Sequence, residues 1–135
     1  MVTSIRELQS IIDELGARID APKPLLIILS APADDGAPYV EIHENSFSYV
    51  SSERGYEIYR KSTSSLDELL YWIMARAVRQ MAVKYELENR AGDCDTRRLY
   101  FSRFIQLLGE IKPEWAELAR LDIDEILKSS PYIDN

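Results

Sequence analysis

Hydrophobic residues recur along this chain with two different periods, and the switches between them mark out its elements. Ile5, Leu8, Ile11, Ile12, Leu15 and Ile19 fall at helical intervals with Glu, Asp and Arg between them, and Ser4 stands three residues before Glu7 as a capping box requires. The spacing predicts an amphipathic first helix ending near Gly16. Ala21-Pro22-Lys23-Pro24 breaks it, and the apolar run 25–30 predicts a short strand covered on both faces. Residues 31–38 contain Pro32, Asp34, Asp35, Gly36 and Pro38, the composition of an exposed, irregular connection. From 39 to 61, segments rich in Tyr, Val, Ile and Phe are separated by Glu44-Asn45 and by Ser52-Glu53-Arg54-Gly55, which predicts a β-meander. With Val40, Ile42, Phe47, Tyr49 and Ile58 turned to a core, strand alternation places Glu41, His43, Ser48, Glu57 and Tyr59 on the opposite, wet face.

The helical period returns at Ser65, which again has capping-box spacing to Glu68, with Asp67 and Glu68 suiting the positive end of a helix dipole. Leu66, Leu69, Leu70, Ile73, Ala77, Met81 and Tyr85 form one stripe of a long second helix, whereas Trp72, Arg76 and Arg79 fall off it. Gly92 is suited to close this helix, and Asp93 or Asp95 to cap a third whose apolar residues, 99–111, surround much of its circumference. Pro113 fits the first turn of a fourth helix with Ala116, Ala119, Ile123, Ile126 and Leu127 on one side, stopped by Pro131. The order predicts an α+β fold in a single domain over residues 1–135. It consists of an N-terminal helix, an antiparallel four-stranded meander and three C-terminal helices packed on one face of the sheet.

Composition narrows the function classes. A chain of 135 residues with 46% hydrophobic and 29% charged residues has the balance of a globular protein with one core. Its longest apolar run, 25–29, is far too short to cross a bilayer, so no membrane partner is expected. Arg6, Glu7, Asp13, Glu14 and Arg18 interrupt the apolar segment a signal peptide would need, and the lone Cys94 suits a reducing compartment; a cytoplasmic protein is expected. The net charge of -7 argues against a nucleic-acid partner and for a basic one. The sequence carries no signal for an oligomeric state.

Catalytic, metal and cofactor chemistry finds little support in the residue types present. His43 is the only histidine and has no serine or cysteine motif beside it, and His43-Glu44 lacks the second histidine of a zinc-protease helix. Asp93-Cys94-Asp95 lacks the ordered carboxylates of a calcium loop, and the glycines at 16, 36, 55, 92 and 109 are too dispersed to cradle phosphate. No catalytic residue, metal site or cofactor is expected.

Two charged regions remain. Glu86, Arg90, Asp95, Arg97 and Arg98 lie at the junction of the second and third helices, where they can pair across the turn and fix the helix angle. Alternatively, Arg97 or Arg98 faces outward to grip an acidic partner group. Residues 34–59 hold the acids Asp34, Asp35, Glu41, Glu44, Glu53 and Glu57 against Arg54 alone, together with Tyr39, Tyr49, Tyr56 and Tyr59. Clustered carboxylates speed encounter with a basic partner and tyrosine is favoured at recognition surfaces, although a solvated sheet face accounts for the same residues.

Tyr85-Glu86-Leu87-Glu88-Asn89-Arg90, Asp95-Thr96-Arg97-Arg98-Leu99-Tyr100-Phe101, Gln106-Leu107-Leu108-Gly109 and Lys112-Pro113-Glu114-Trp115-Ala116 together resemble the sixty-third numbered immunity-protein family of bacterial polymorphic toxin systems. The likeness runs from Leu66 to the C-terminal helix. It implies a small, non-catalytic cytoplasmic protein that binds a cognate toxin domain and blocks it. Glu86, Arg90, Asp95, Arg97, Arg98 and Trp115 are the matching positions; the resemblance brings no functional role for them, and they are read as a structural motif. Outside the matched words, Asp34, Asp35, Glu41, Glu44, Glu53, Glu57 and Tyr59 form the candidate surface for a basic active-site cleft, such as that of a nuclease. A small non-catalytic adaptor or regulatory module that binds another protein through this face is the alternative reading.

Overall fold

The computed structural model describes residues 2–90 and 92–134. Ser4 accepts a hydrogen bond from the Glu7 amide at 3.2 Å and starts α1 (Ile5–Ala17), which buries Leu8, Ile12 and Leu15. A 3-10 turn, Lys23–Leu26, leads by an extended loop to β1 (Tyr39–Ile42), β2 (Phe47–Glu53) and β3 (Tyr56–Thr63). Ser65 caps α2 (Leu66–Glu88) by accepting from the Glu68 amide at 3.1 Å, and α3 (Thr96–Ile111) and α4 (Pro113–Ser129) follow. The three strands form one antiparallel sheet in the order β1-β2-β3. The α+β class holds, with three strands rather than the four expected, and of the three C-terminal helices α2 supplies the main contact with the sheet while α3 packs between α2 and α4.

The missing strand is the one predicted at 25–30. Its backbone groups are taken by a side chain: Gln9 Nε2 donates to the Leu26 carbonyl at 2.8 Å, and Gln9 Oε1 accepts from the Ile28 amide at 2.9 Å. Pro22 and Pro24 have no amide hydrogen, and Ile27 points to solvent, so the run is not covered on both faces. Only a bridge from Leu29 to Tyr39 remains of the pairing, with the Val40 amide donating to the Leu29 carbonyl at 2.9 Å.

The expected sides hold in β1 and β2 and fail in β3, but the far face is not wet along β2, where Ser48, expected in solvent, is buried with Val50 and Ser52. Val40 and Ile42 pair with Tyr49 and Phe47, and this face meets α2, where Tyr49 stacks on Trp72 with ring centroids 6.5 Å apart. Ser51 lies opposite Tyr59 but Ser52 lies opposite Glu57, so Ile58 is an extra residue in β3. That bulge inverts the alternation. Ile58, expected in the core, is 56% exposed, and Tyr59, expected on the wet face, returns to the helix side 6.5 Å from the Tyr49 ring.

The helix α2 is the hub. It packs against α1, the sheet and α3, which explains why Tyr71, Met74, Ala75, Val78 and Ala82 are buried as well as the predicted stripe of Leu69, Leu70, Ile73 and Ala77. α3 buries Phe101, Phe104, Leu107, Leu108 and Ile111 between α2 and α4. The α2 cap is Asn89, whose side chain donates to the Tyr85 carbonyl, and Gly92 has no part in it. Asp95 caps α3 as predicted.

Candidate functional site

The seven residues proposed to meet a partner do not form one surface. Asp34 adopts a positive φ of 58° and binds the end of the β2–β3 hairpin, its Oδ1 accepting from Ser52 Oγ at 3.3 Å and from the Gly55 amide at 3.4 Å. Asp35 bridges to Glu53 across the sheet edge and accepts from the Ala37 amide at 2.9 Å. Asp34, Asp35 and Glu53 therefore gather at one end of the sheet, with Tyr59 on the helix-facing side nearby. Glu44 sits in the β1–β2 turn at the other end, a β2 length of about 20 Å away. Glu41 and Glu57 lie on the outer face, and both bind Arg60: Glu57 Oε1 accepts from Nη2 at 2.9 Å, and Glu41 pairs with Nη1. This hydrogen bond from Arg60 holds the Glu41 carboxyl below its ordinary pKa. Arg60 thus neutralises part of the acidity that residues 34–59 suggest.

A cleft on the other side of the sheet collects residues that the pattern left unassigned. It occupies about 670 Å³ between the helix-facing side of β3, α2, α4 and the loop at Gly36 and Pro38. Tyr49, Tyr59, Tyr71 and Trp72 form its walls, and Lys61, Arg76 and Arg79 add positive charge. Lys61 Nζ sits over the rings of Tyr59 and Trp72, 5.5 and 5.4 Å from their centroids. Burial pushes the Tyr49 and Tyr59 hydroxyls above the ordinary tyrosine pKa, and the positive charges of Arg76 and Arg79 oppose that rise. From α4, Asp122 accepts the Tyr71 hydroxyl at 2.7 Å and Glu125 pairs with Lys128 at 3.2 Å. Ile126, expected in the core, is instead exposed beside this cleft. The one sequence signal for the site was that Trp72, Arg76 and Arg79 departed from the α2 stripe.

The polar residues near the α2–α3 junction separate into two sets. Glu86, 6% exposed, pairs with Arg90 one turn on, its oxygens accepting from Nε at 2.9 Å and Nη2 at 2.7 Å. Asp95, Arg97 and Arg98 do not join that pair, contrary to expectation; they hold the segment after α4. Arg97 donates to the carbonyls of Ser130 and Pro131, both at 2.8 Å, while Asp95 Oδ2 accepts from the Ile133 amide at 2.8 Å. Arg98 pairs with Asp134 at 2.7 Å and lies 4.0 Å from the Tyr132 ring centroid. The hydrogen bond from Arg97, joined by the Ile133 and Arg97 amides, depresses the Asp95 pKa strongly. Trp115 is fully buried at the start of α4; it meets Tyr71 edge-on and donates from Nε1 to Asp67 at 3.2 Å. Burial alone would raise the Asp67 pKa, but the hydrogen bonds from Lys112 and Trp115 outweigh it and lower that carboxyl.

His43 Nε2 lies 3.0 Å from Ser48 Oγ and 3.5 Å from Glu41 Oε1. Both neighbours share one ring nitrogen, so the carboxylate cannot orient the ring while the other nitrogen activates the serine. Ser48 is 3% exposed and bonds onward to Ser62 at 3.0 Å, which makes it a structural hydroxyl.

The family model described as immunity protein 63 matches residues 44–125. The chain belongs to that family. No curated protein and no solved structure matches it. Membership of the immunity protein 63 family suggests a toxin-neutralising role, in a class that is generally non-catalytic. The match takes in β2, β3, α2, α3 and most of α4, and with them Tyr49, Tyr59, Trp72, Arg76 and Arg79. Asp34, Asp35 and Glu41 precede it, and the tail bound by Arg97 and Arg98 follows it. Among the described residues no helix is long and apolar enough to cross a membrane.

Proposed function

We propose that this immunity protein binds a cognate toxin domain and inactivates it by covering the surface the toxin works with. The family match over residues 44–125 carries the reading. The surface we assign to first contact is the acidic end of the sheet, Asp34, Asp35 and Glu53, with Tyr59 beside it. Glu41, Glu44 and Glu57 extend the contact over the outer face and far turn. In a chain of net charge -7, this end steers a toxin whose active-site surroundings are basic, as those of a nuclease are. A complex of ordinary size would bury about 1,600 Å² in total.

Co-expression with a candidate toxin domain from a neighbouring gene tests the reading. Restored growth and co-purification of the pair are expected. A chain that neither protects the cells nor co-purifies would favour an adaptor bound to another protein.

A further inference from the structure

The cleft gathers three cations on a protein of net charge -7. Arg60, Arg90, Arg97, Arg98 and Lys112 all have carboxylate partners, whereas Lys61, Arg76 and Arg79 make no salt bridge among the described residues. The acids within reach are already engaged, Asp122 by the Tyr71 hydroxyl and Glu125 by Lys128. Arg76 and Arg79 are exposed and three residues apart on α2, both line the cleft, and the Arg79 guanidinium also lies 5.5 Å from the Phe104 ring centroid on α3. We propose that this cleft receives a carboxylate side chain of the toxin domain, which Arg76 and Arg79 bind while Trp72 and Tyr59 pack against its stem. The proposal rests on the toxin-binding reading above and adds a second, oppositely charged anchor to it.

Aromatic walls suit that occupant, because a guanidinium–carboxylate pair gains strength where the rings exclude water. The space is ample: a second hollow of about 320 Å³ shares Tyr71, Trp72 and Asp122 with the first and continues past Leu118 towards the start of α2. Leu118 and Ile126, both exposed on α4, supply an apolar border for the loop that carries the carboxylate. A polyanion fits poorly, since Asp122 and Glu125 line the same cleft and Asp34 and Asp35 adjoin its Gly36 corner. One carboxylate inserted between positive groups avoids that repulsion. Alternating signs within one surface also reject partners that lack the matching alternation, and so give specificity among related toxins.

The test is the affinity of the full chain for the toxin domain that the co-expression experiment identifies, with Arg76→Ala, Arg79→Ala and Arg79→Glu. Each alanine variant should weaken binding about tenfold or more, chiefly through faster dissociation, with an unchanged melting temperature for Arg76→Ala and at most a small drop for Arg79→Ala, which loses a contact with Phe104. Arg79→Glu should abolish protection, and one Asp→Lys or Glu→Lys change in the toxin domain should restore it. Wild-type affinity in both alanine variants would overturn the cleft site while leaving the immunity reading intact. An unaltered chain that fails to bind the toxin domain would overturn both. Displacement of the toxin domain by a short oligonucleotide, lost in the same variants, would assign the cleft to a polyanion and overturn the carboxylate anchor.

Discussion

Asp95 shows how much one side chain can organise. It caps α3, pairs with Arg97 and accepts the Ile133 amide, so a single carboxylate joins a helix start to the tail that follows α4. Its folded pKa lies below that of a free aspartate, so its contribution is complete above about pH 4 and fades as pH falls through the folded value. Asp95→Asn should therefore melt several degrees below the parent at pH 7, with the gap narrowing below pH 4 in thermal denaturation followed by circular dichroism. A constant gap would remove the charge from this account. Arg97→Ala should cost more than Arg98→Ala, because Arg97 spans two carbonyls and Asp95 at 26% side-chain exposure, whereas the Arg98–Asp134 pair is nearly half exposed on both sides. These roles were only partly legible: the sequence put the charges at the junction but could not reveal that their partners lie more than thirty residues away in the tail.

At the level of elements, the helices follow local rules and the strands do not. Both serine caps and the starts of α1 and α2 come from residues within one turn, which is why spacing alone located them. The strand predicted at 25–30 fails because Gln9, on another element, satisfies its backbone, and the β3 alternation fails because Ile58 is inserted by a register shift. Ile58→Thr should consequently leave stability within about 0.5 kcal/mol, as for exposed sites, whereas Phe47→Ala should cost about 3–5 kcal/mol. Chemical denaturation of the two variants checks the bulge, and comparable losses would restore Ile58 to the core. Gly16 gives a second check: a Cβ there would collide with the buried Leu26 side chain, so Gly16→Ala should destabilise the α1 packing by about 1–3 kcal/mol in the same experiment.

Across the whole molecule, charge is sorted by sign in a way that net charge conceals. Acids crowd the end of the sheet at Asp34, Asp35 and Glu53, Arg60 quenches the outer face, and three cations without salt bridges among the described residues, Lys61, Arg76 and Arg79, line the cleft. Asp34→Lys/Asp35→Lys should slow association with a basic toxin domain about tenfold at low salt, and the effect should shrink as salt screens it. Glu41→Lys/Glu57→Lys should slow it less, since both carboxylates are already bound to Arg60. Stopped-flow association rates over a salt series separate the two; equal effects would give the outer face the same share in first contact as the acidic end.

Local spacing alone determined the α+β class, the helix starts, the acidic balance and the short words by which the chain resembles its family, because each depends on neighbours within a few residues or on composition. Tertiary structure decided the number of strands, the side on which Tyr59 lies, the partners of Arg97 and Arg98, and the union of Tyr49, Tyr59, Trp72, Arg76 and Arg79 in one cleft. Those outcomes depend on which distant group reaches a backbone amide, a ring or a charge first, and chain folding settles that competition in space rather than along the sequence.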